Sequence, residues 1–315
     1  MPAEADRVAD ATATNWFDQF APAWARPYGH LARFDRPIGA WLLLFPCWWS
    51  QALAEVSVGH TYPNVWYLAL FAIGAFVMRG AGCTHNDIID REYDKRVART
   101  ASRPIPSGRV TVLQAFLFAV ALSLIGFIML LQFNRFTVLL GIASLGLVAA
   151  YPFAKRYTHW AQLILGLTFK WGALVGWSAV TGSLDWPAVL LYAGSILWTI
   201  GYDTIYAHQD KEDDAVLGLK STALLFGART QTWVAGLYAG GWLLWLAAVV
   251  MVGGSVIVMT ALAGVAGQMA WQVAALKISD PANCLKVFHS NRWVGWLFFL
   301  GLVAEMLLVN VARAP

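Results

Sequence analysis

"TVLQAFLFAVALSLIGFIMLL", residues 111–131, runs for 21 positions without a charged side chain. As a helix it would rise about 30 Å, the thickness of a bilayer's hydrocarbon core. The rest of the chain repeats this pattern. Of its 315 residues, 59% are hydrophobic and 13% charged, with 17 Trp, whereas a soluble domain carries about 25% charged residues. Spans of sufficient length recur at approximately 37–56, 64–85, 111–131, 136–152, 160–180, 187–206, 231–251, 254–276 and 293–312. The expectation is an all-α polytopic membrane protein with nine transmembrane helices, its surroundings a lipid bilayer and no nucleic acid among its partners. Only Val252 to Gly254 separates the seventh span from the eighth.

The first 14 residues carry Glu4, Asp6 and Asp10 and lack the apolar core of a cleavable signal, so they read as a disordered tail. Residues 15–34 mix Trp16, Phe17, Phe20, Trp24 and Tyr28 with Arg26 and Arg33, a composition suited to the membrane interface. The expected organisation is a cytoplasmic tail and interfacial segment over 1–35 and a transmembrane domain over 36–315. Cys47, Cys83 and Cys284 have no pairing or metal-ligand spacing and read as apolar filler. Most Trp residues, including Trp48, Trp49 and Trp66, are expected in interfacial belts.

With nine spans, all Lys and Arg except Arg79, Arg135, Lys170 and Arg313 fall on the side of the N-terminus. The positive-inside rule then puts that side in the cytoplasm. On the same side lie two acidic stretches, "NDIIDREYD" (86–94) after the second span and "DTIYAHQDKEDD" (203–214) at the end of the sixth. On a helix, Asp87, Asp90 and Asp94 fall within about 60° of one another, and Asp203, Asp210 and Asp214 within about 40°, with Tyr206 alongside. Glu212 points away.

Carboxylates stacked on one helix face repel, and cations must balance them. Mg²⁺ suits the pattern, because it takes one or two carboxylates per ion together with water and substrate phosphate oxygens. Two such stripes facing one another would hold Mg²⁺ ions around a diphosphate. Arg99, Arg103, Lys155, Arg156 and Lys220 lie on the same side and would donate to its remaining oxygens. Arg109, Arg229 and Lys277 need no role beyond the charge bias of the loops.

These residues resemble the UbiA superfamily of intramembrane prenyltransferases, whose signatures are NDxxDxxxD after the second helix, here Asn86 to Asp94, and a second Asp-rich motif after the sixth. The resemblance covers nearly the whole chain. "YAHQDKEDD" (206–214), "RFDRPIG" (33–39), "RTASRPIPSG" (99–108) and "YPFAKRYT" (151–158) resemble the branch that prenylates 4-hydroxybenzoate in ubiquinone synthesis. The resemblance implies nine helices around a central cavity, built from two four-helix repeats. It implies Mg²⁺ and diphosphate at Asn86, Asp90, Asp94, Asp210 and Asp214, with Asp87 beside them as a further metal ligand. Arg156 would pair with the acceptor carboxylate, and Asp203 and Tyr206 are assigned to the acceptor as well. The partners implied are a polyprenyl diphosphate and 4-hydroxybenzoate, and the location a bacterial inner membrane with the active site facing the cytoplasm. One position departs from the pattern: Lys170 in "LTFKWGALVGW" stands where a neutral residue is expected, about 15 Å into the fifth span, and must line the cavity or find a partner there.

The expected chemistry is ionisation of the allylic diphosphate, shielded from water by walls containing Tyr151, Phe153 and Tyr206, followed by ring attack and loss of a proton to Asp210 or Asp90. His85 and His208 are read as hydrogen-bonding or neutral packing residues. A divalent-cation transporter would also need carboxylates, but it requires them across the bilayer. Here only Glu55 and Asp185 sit at the opposite ends of spans. A scaffold that has lost activity is disfavoured by the intact carboxylates. Another aromatic acceptor would keep the mechanism.

Overall fold

The structure is a computed structural model that describes residues 15–97, 100–150, 157–209, 211–216, 218 and 220–310. The expected tail over residues 1–14 lies outside them. Among the described residues there are helices and turns and no strand. The order is α1 (Trp16–Phe20), α2 (Arg26–Leu31), α3 (Ile38–Ser57), α4 (Val65–Asp94), α5 (Val112–Leu130), α6 (Arg135–Ala143) and α7 (Leu145–Ala150). There follow α8 (Ala161–Phe169), α9 (Gly172–Thr181), α10 (Trp186–Ala207), α11 (Lys211–Val216), α12 (Thr222–Phe226), α13 (Thr230–Met251), α14 (Val256–Ala275) and α15 (Pro281–Glu305).

Seven stretches are long and apolar enough to cross a membrane: α4, α5, α8 with α9, α10, α12 with α13, α14, and Pro281–Val309. The other two expected spans are helical but fall short of that mark. α3 carries Pro46, Gln51, Glu55 and three Trp among its 20 residues, and the apolar stretch Arg135–Ala149 is too short. Composition and length therefore carry seven spans of the nine expected. The seventh and eighth expected spans are indeed separate helices, since α13 ends at Met251 and Gly253 takes a positive φ of 74° before α14.

The chain divides into two compact units, residues 1–41 with 72–132 and residues 42–71 with 133–315. In the first, the segment expected at the interface splits in two. α1 leaves Trp16 and Phe20 exposed, whereas α2 ends in the interior, where Leu31 packs with Ile105, Val110 and Ala115. Tyr28 meets Phe118 edge-on at 5.2 Å. α5 starts at a reciprocal cap: Thr111 Oγ1 accepts from Gln114 N, and Gln114 Oε1 accepts from Thr111 N at 2.9 Å. Most of α5 is not covered by protein, as befits a lipid-facing helix.

In the second unit α10 is the central helix and packs along α13. Gly194 permits their close approach, because a Cβ there would stand 2.7 Å from the Gly241 carbonyl oxygen. Trp49 corrects one expectation. It is fully buried, with ring centroids 5.2 Å from Trp198, 5.0 Å from Trp245 and 5.1 Å from Phe298, and its Nε1 donates to Gly295 O at 2.9 Å. It is the hub of an aromatic core joining α3, α10, α13 and α15, not a member of an interfacial belt; Trp66 remains exposed.

Lys170 also lies in this unit, fully buried at the break between α8 and α9. Its Nζ donates to Leu42 O at 2.6 Å and stands 4.7 Å from the Trp198 ring centroid and 5.2 Å from that of Tyr202. Leu42 is four residues before Pro46, and a proline has no N–H to give to the carbonyl one turn back. Lys170 thus supplies the donor that Pro46 cannot. That is the partner its sequence position demanded.

Candidate active site

α4, expected to end near residue 85, continues to Asp94. The first acidic motif therefore rides on its last turns, with Asp87, Asp90 and Asp94 on one face. All three are buried, at 0%, 2% and 8% relative exposure. Guanidinium groups offset the repulsion. Arg33 Nη2 donates to both oxygens of Asp87, at 2.7 and 2.9 Å, while its Nη1 donates to His30 O at 2.7 Å. Arg103 Nη1 donates to Asp87 Oδ1 at 3.2 Å and to Asp94 Oδ2 at 2.9 Å. Asn86 Nδ2 donates to Asp90 Oδ2 at 3.2 Å.

Local structure sets these side chains. After α4 the chain folds back on itself: Thr100 Oγ1 donates to Asp94 O at 2.8 Å and Arg103 N to Thr100 O at 2.9 Å, which returns Arg103 to the helix it has just left. Arg33 has φ of 60°, the one positive value among the described non-glycine residues. Such a backbone is held by its surroundings. Near it, burial pushes the Asp35 carboxyl above its ordinary value even though Arg36, His30 and Arg33 oppose the shift. Burial also acts on Asp18, but hydrogen bonds from Asn15 and His30 outweigh it and hold that carboxyl below its usual range.

The second motif differs from the single helical stripe expected. α10 stops at Ala207, where His208 N turns back to Ile205 O and Tyr206 O, and α11 begins a separate helix at Lys211. The His208 ring is buried against Thr230 Oγ1 at 3.0 Å, which anchors this turn and interrupts the periodicity. Burial, with repulsion from Lys211, pushes His208 down to about 4, so it is a neutral packing residue. Asp203 and Tyr206 are half-buried on α10, and the Tyr206 ring lies 4.7 Å from Phe288. Lys220 Nζ donates to Tyr157 O at 3.3 Å. Arg99, Tyr151, Phe153, Lys155, Arg156, Asp210 and the side chain of Asp214 lie outside the described residues.

Among the described residues no three His, Cys, Asp or Glu form a metal cage. Mg²⁺ does not require one, and the donors that are present, buried carboxylate oxygens and the half-buried Asn86 amide oxygen, are of the hard kind it selects. Asp90 and Asp94, with Asn86 beside them, therefore fit such an ion. The acids at the opposite ends of helices are otherwise engaged: Glu55 Oε1 accepts from Asn64 N at 2.9 Å, and Asp185 Oδ2 from Trp177 Nε1 at 3.1 Å. The residue that sequence reasoning missed is Arg33. Its signal is a charge within "RFDRPIG", a stretch that carries the family resemblance and suits the interface but gives Arg33 no site role by itself.

The membrane helix that ends in buried acids clasped by arginines lies within residues 43–303, which match the UbiA prenyltransferase family and so place the chain among intramembrane prenyltransferases. The chain belongs to that family. It is 49% identical to the mitochondrial 4-hydroxybenzoate polyprenyltransferase of Bos taurus over 300 residues, covering 93% of this chain and 78% of that protein. It is 47% identical to the enzyme of the same name from Aedes aegypti over 292 residues, and there the match covers 89% of this chain but 64% of the relative's length, just under two thirds. The apo structure of a UbiA homologue from Aeropyrum pernix K1 superposes with a TM-score of 0.70 at 26% identity, over 84% of this chain and 98% of that one. A UbiA homologue from Archaeoglobus fulgidus bound to GPP and Mg²⁺ shares the fold, with a TM-score of 0.64 at 17% identity over 89% of this chain and 99% of that one.

The relatives correct one expectation. Those from Aedes aegypti, Bos taurus and Arabidopsis thaliana are named mitochondrial, which overturns the bacterial inner membrane with a cytoplasmic site. The integral membrane character stands.

Proposed function

We propose that this chain transfers a polyprenyl group from a polyprenyl diphosphate to the carbon ortho to the hydroxyl of 4-hydroxybenzoate, releasing diphosphate, as a step of ubiquinone synthesis. The observation that carries the reading is the oxygen-donor set at the end of α4, the buried Asp90 and Asp94 with the half-buried Asn86, and Arg103 bound to Asp94. The acceptor rests on the relatives' name.

Asn86, Asp90 and Asp94 of the first motif, and Asp210 and Asp214 of the second, would hold Mg²⁺, which when bound would supply positive charge to offset that of the diphosphate. Arg99, Arg103, Lys155 and Lys220 donate to the remaining phosphate oxygens, which favours the group with full negative charge over the ester. The allylic C–O bond breaks, its electron pair leaves with the diphosphate, and a delocalised allylic cation remains. Tyr206 and the apolar walls exclude water that would trap that cation. Arg156 pairs with the acceptor carboxylate and Asp203 lies with Tyr206 on the acceptor side. The ring carbon attacks, and its proton passes to Asp210 or Asp90, restoring aromaticity. No covalent enzyme intermediate forms.

The test is prenyl transfer by membranes containing the protein, with radiolabelled 4-hydroxybenzoate and a polyprenyl diphosphate, for wild type and Asp210→Asn. Lipid-soluble product is expected with Mg²⁺ and lost with EDTA or in the variant. Product with another phenol but none with 4-hydroxybenzoate would overturn the acceptor, and absence of transfer to any phenol would overturn the enzyme.

A further inference from the structure

Asp87 differs from the other acids of its motif in what it holds. Its Oδ1 accepts from Arg33 and from Arg103, and its Oδ2 accepts from Arg33. It has no exposure to solvent. A divalent ion would have to approach an oxygen already turned toward two guanidinium groups, against their charge. Asp94, by contrast, meets Arg103 through Oδ2 alone, and its side chain retains 11% exposure.

Asp87 also gathers distant parts of the first unit. Arg33 is 54 positions away and Arg103 16 positions away, and both reach the same carboxylate. Arg33 is held in a forked grip, Nη1 on the His30 carbonyl and Nη2 on Asp87, which maintains its left-handed backbone. Arg103 keeps a buried Nε with no hydrogen-bond acceptor among the described residues. A guanidinium carries five N–H groups: Arg103 is anchored through Nη1 alone, and Arg33, gripped through Nη1 and Nη2, makes three of these bonds, so each carries more N–H groups than its anchors use.

We propose that Asp87 is a positioning residue and not a metal ligand: it fixes Arg33 and Arg103 beside Asp90 and Asp94, so that both arginines donate to the prenyl diphosphate. The one motif then has two tasks. Asn86, Asp90 and Asp94 bind the ion, and Asp87 binds the arginines that bind the anion. Arg33 joins the diphosphate-binding residues.

The inference rests on the diphosphate reading above, and the two can be tested separately. Mn²⁺ binding to the purified protein in detergent, followed by electron paramagnetic resonance without any diphosphate, is measured for wild type, Asp87→Asn and Asp90→Asn. Steady-state transfer is measured on the same preparations. Asp90→Asn is expected to lose Mn²⁺ binding, whereas Asp87→Asn keeps it within about twofold; its KM for polyprenyl diphosphate rises about tenfold or more while kcat changes less than about threefold. Arg33→Lys should raise KM in the wild type and add little in the Asp87→Asn background, because the anchored fork is already lost. Loss of Mn²⁺ binding in Asp87→Asn together with Asp90→Asn overturns the inference alone. Retained binding in Asp90→Asn overturns the metal reading beneath it. If Asp87→Asn does not yield folded protein, the double variant Arg33→Lys, Arg103→Lys takes both measurements with the carboxylate intact: Mn²⁺ binding unchanged with a raised KM supports the assignment, and an unchanged KM refutes it.

Discussion

Replacing Lys170 with Met tests whether a proline and a lysine 124 positions apart act as one unit. The ammonium–carbonyl hydrogen bond to Leu42 O spans 2.6 Å in a fully buried setting. A hydrogen bond to a charged group contributes about 1.5–3 kcal/mol, and leaving a buried carbonyl without a donor costs about 1–3 kcal/mol. The contacts to Trp198 and Tyr202 add about 0.5–2 kcal/mol each. Against them stands the cost of burying an ammonium, several kcal/mol, which the substitution removes. The single variant therefore measures a difference of large quantities.

A double-mutant cycle separates them. In Pro46→Ala the new backbone N–H at position 46 donates to Leu42 O within α3, so removing Lys170 no longer orphans the carbonyl. Lys170→Met should then be less destabilising in the Pro46→Ala background by about 1–3 kcal/mol. For a chain of this size that is a difference of about 2–6 °C in the thermal midpoint. The assay is thermal unfolding in detergent of wild type, both single variants and the double. Effects that add to within about 1 °C would refute the reasoning, since the two residues would then share no carbonyl.

Other outcomes follow from the same structure. Asp94→Asn should lower kcat about 100-fold with the thermal midpoint little changed, the scale expected when one stabiliser of departing charge is lost; kinetics at saturating Mg²⁺ check it. Gly194→Ala places a Cβ 2.7 Å from the Gly241 carbonyl and should cost about 1–3 kcal/mol, whereas Gly267→Ala, with nothing within 4 Å, should be neutral in the same melting assay. His208 is held at about 4 against an ordinary 6.5. The unfolded chain then binds more protons than the folded one between those values, so stability is full above pH 6.5 and falls by up to about 1.4 kcal/mol per pH unit on acidification toward 4. His208→Gln should remove that component, as read from melting curves at stepped pH.

Hydropathy made the membrane helices legible because lipid imposes one requirement, about 20 apolar residues, on every span. Helix ends were less legible where polar residues extend a helix beyond the apolar stretch. α15 starts at Pro281 and not near 293, capped by Asp280, whose Oδ1 accepts from Ala282 N and Asn283 N. The Asp-Pro pair was a usable start signal, but Lys286, His289 and Arg292 broke the apolar run. The first acidic motif was readable from its spacing, because α4 continues through it. The second was not, because His208 turns the chain. Trp49 and Arg33 went unread for one shared reason: their partners lie far along the chain, on other helices, and no local period encodes a tertiary contact.

The indoles of Trp49, Trp198 and Trp245, with centroids 5.0–5.7 Å apart, are close enough to act as one coupled chromophore. Their transitions should mix and produce a paired signal in near-ultraviolet circular dichroism that isolated, lipid-facing indoles cannot. Because the three rings come from three different helices, that signal exists only while those helices are assembled. The chain therefore carries its own optical gauge of integrity in detergent or membrane, with no label required.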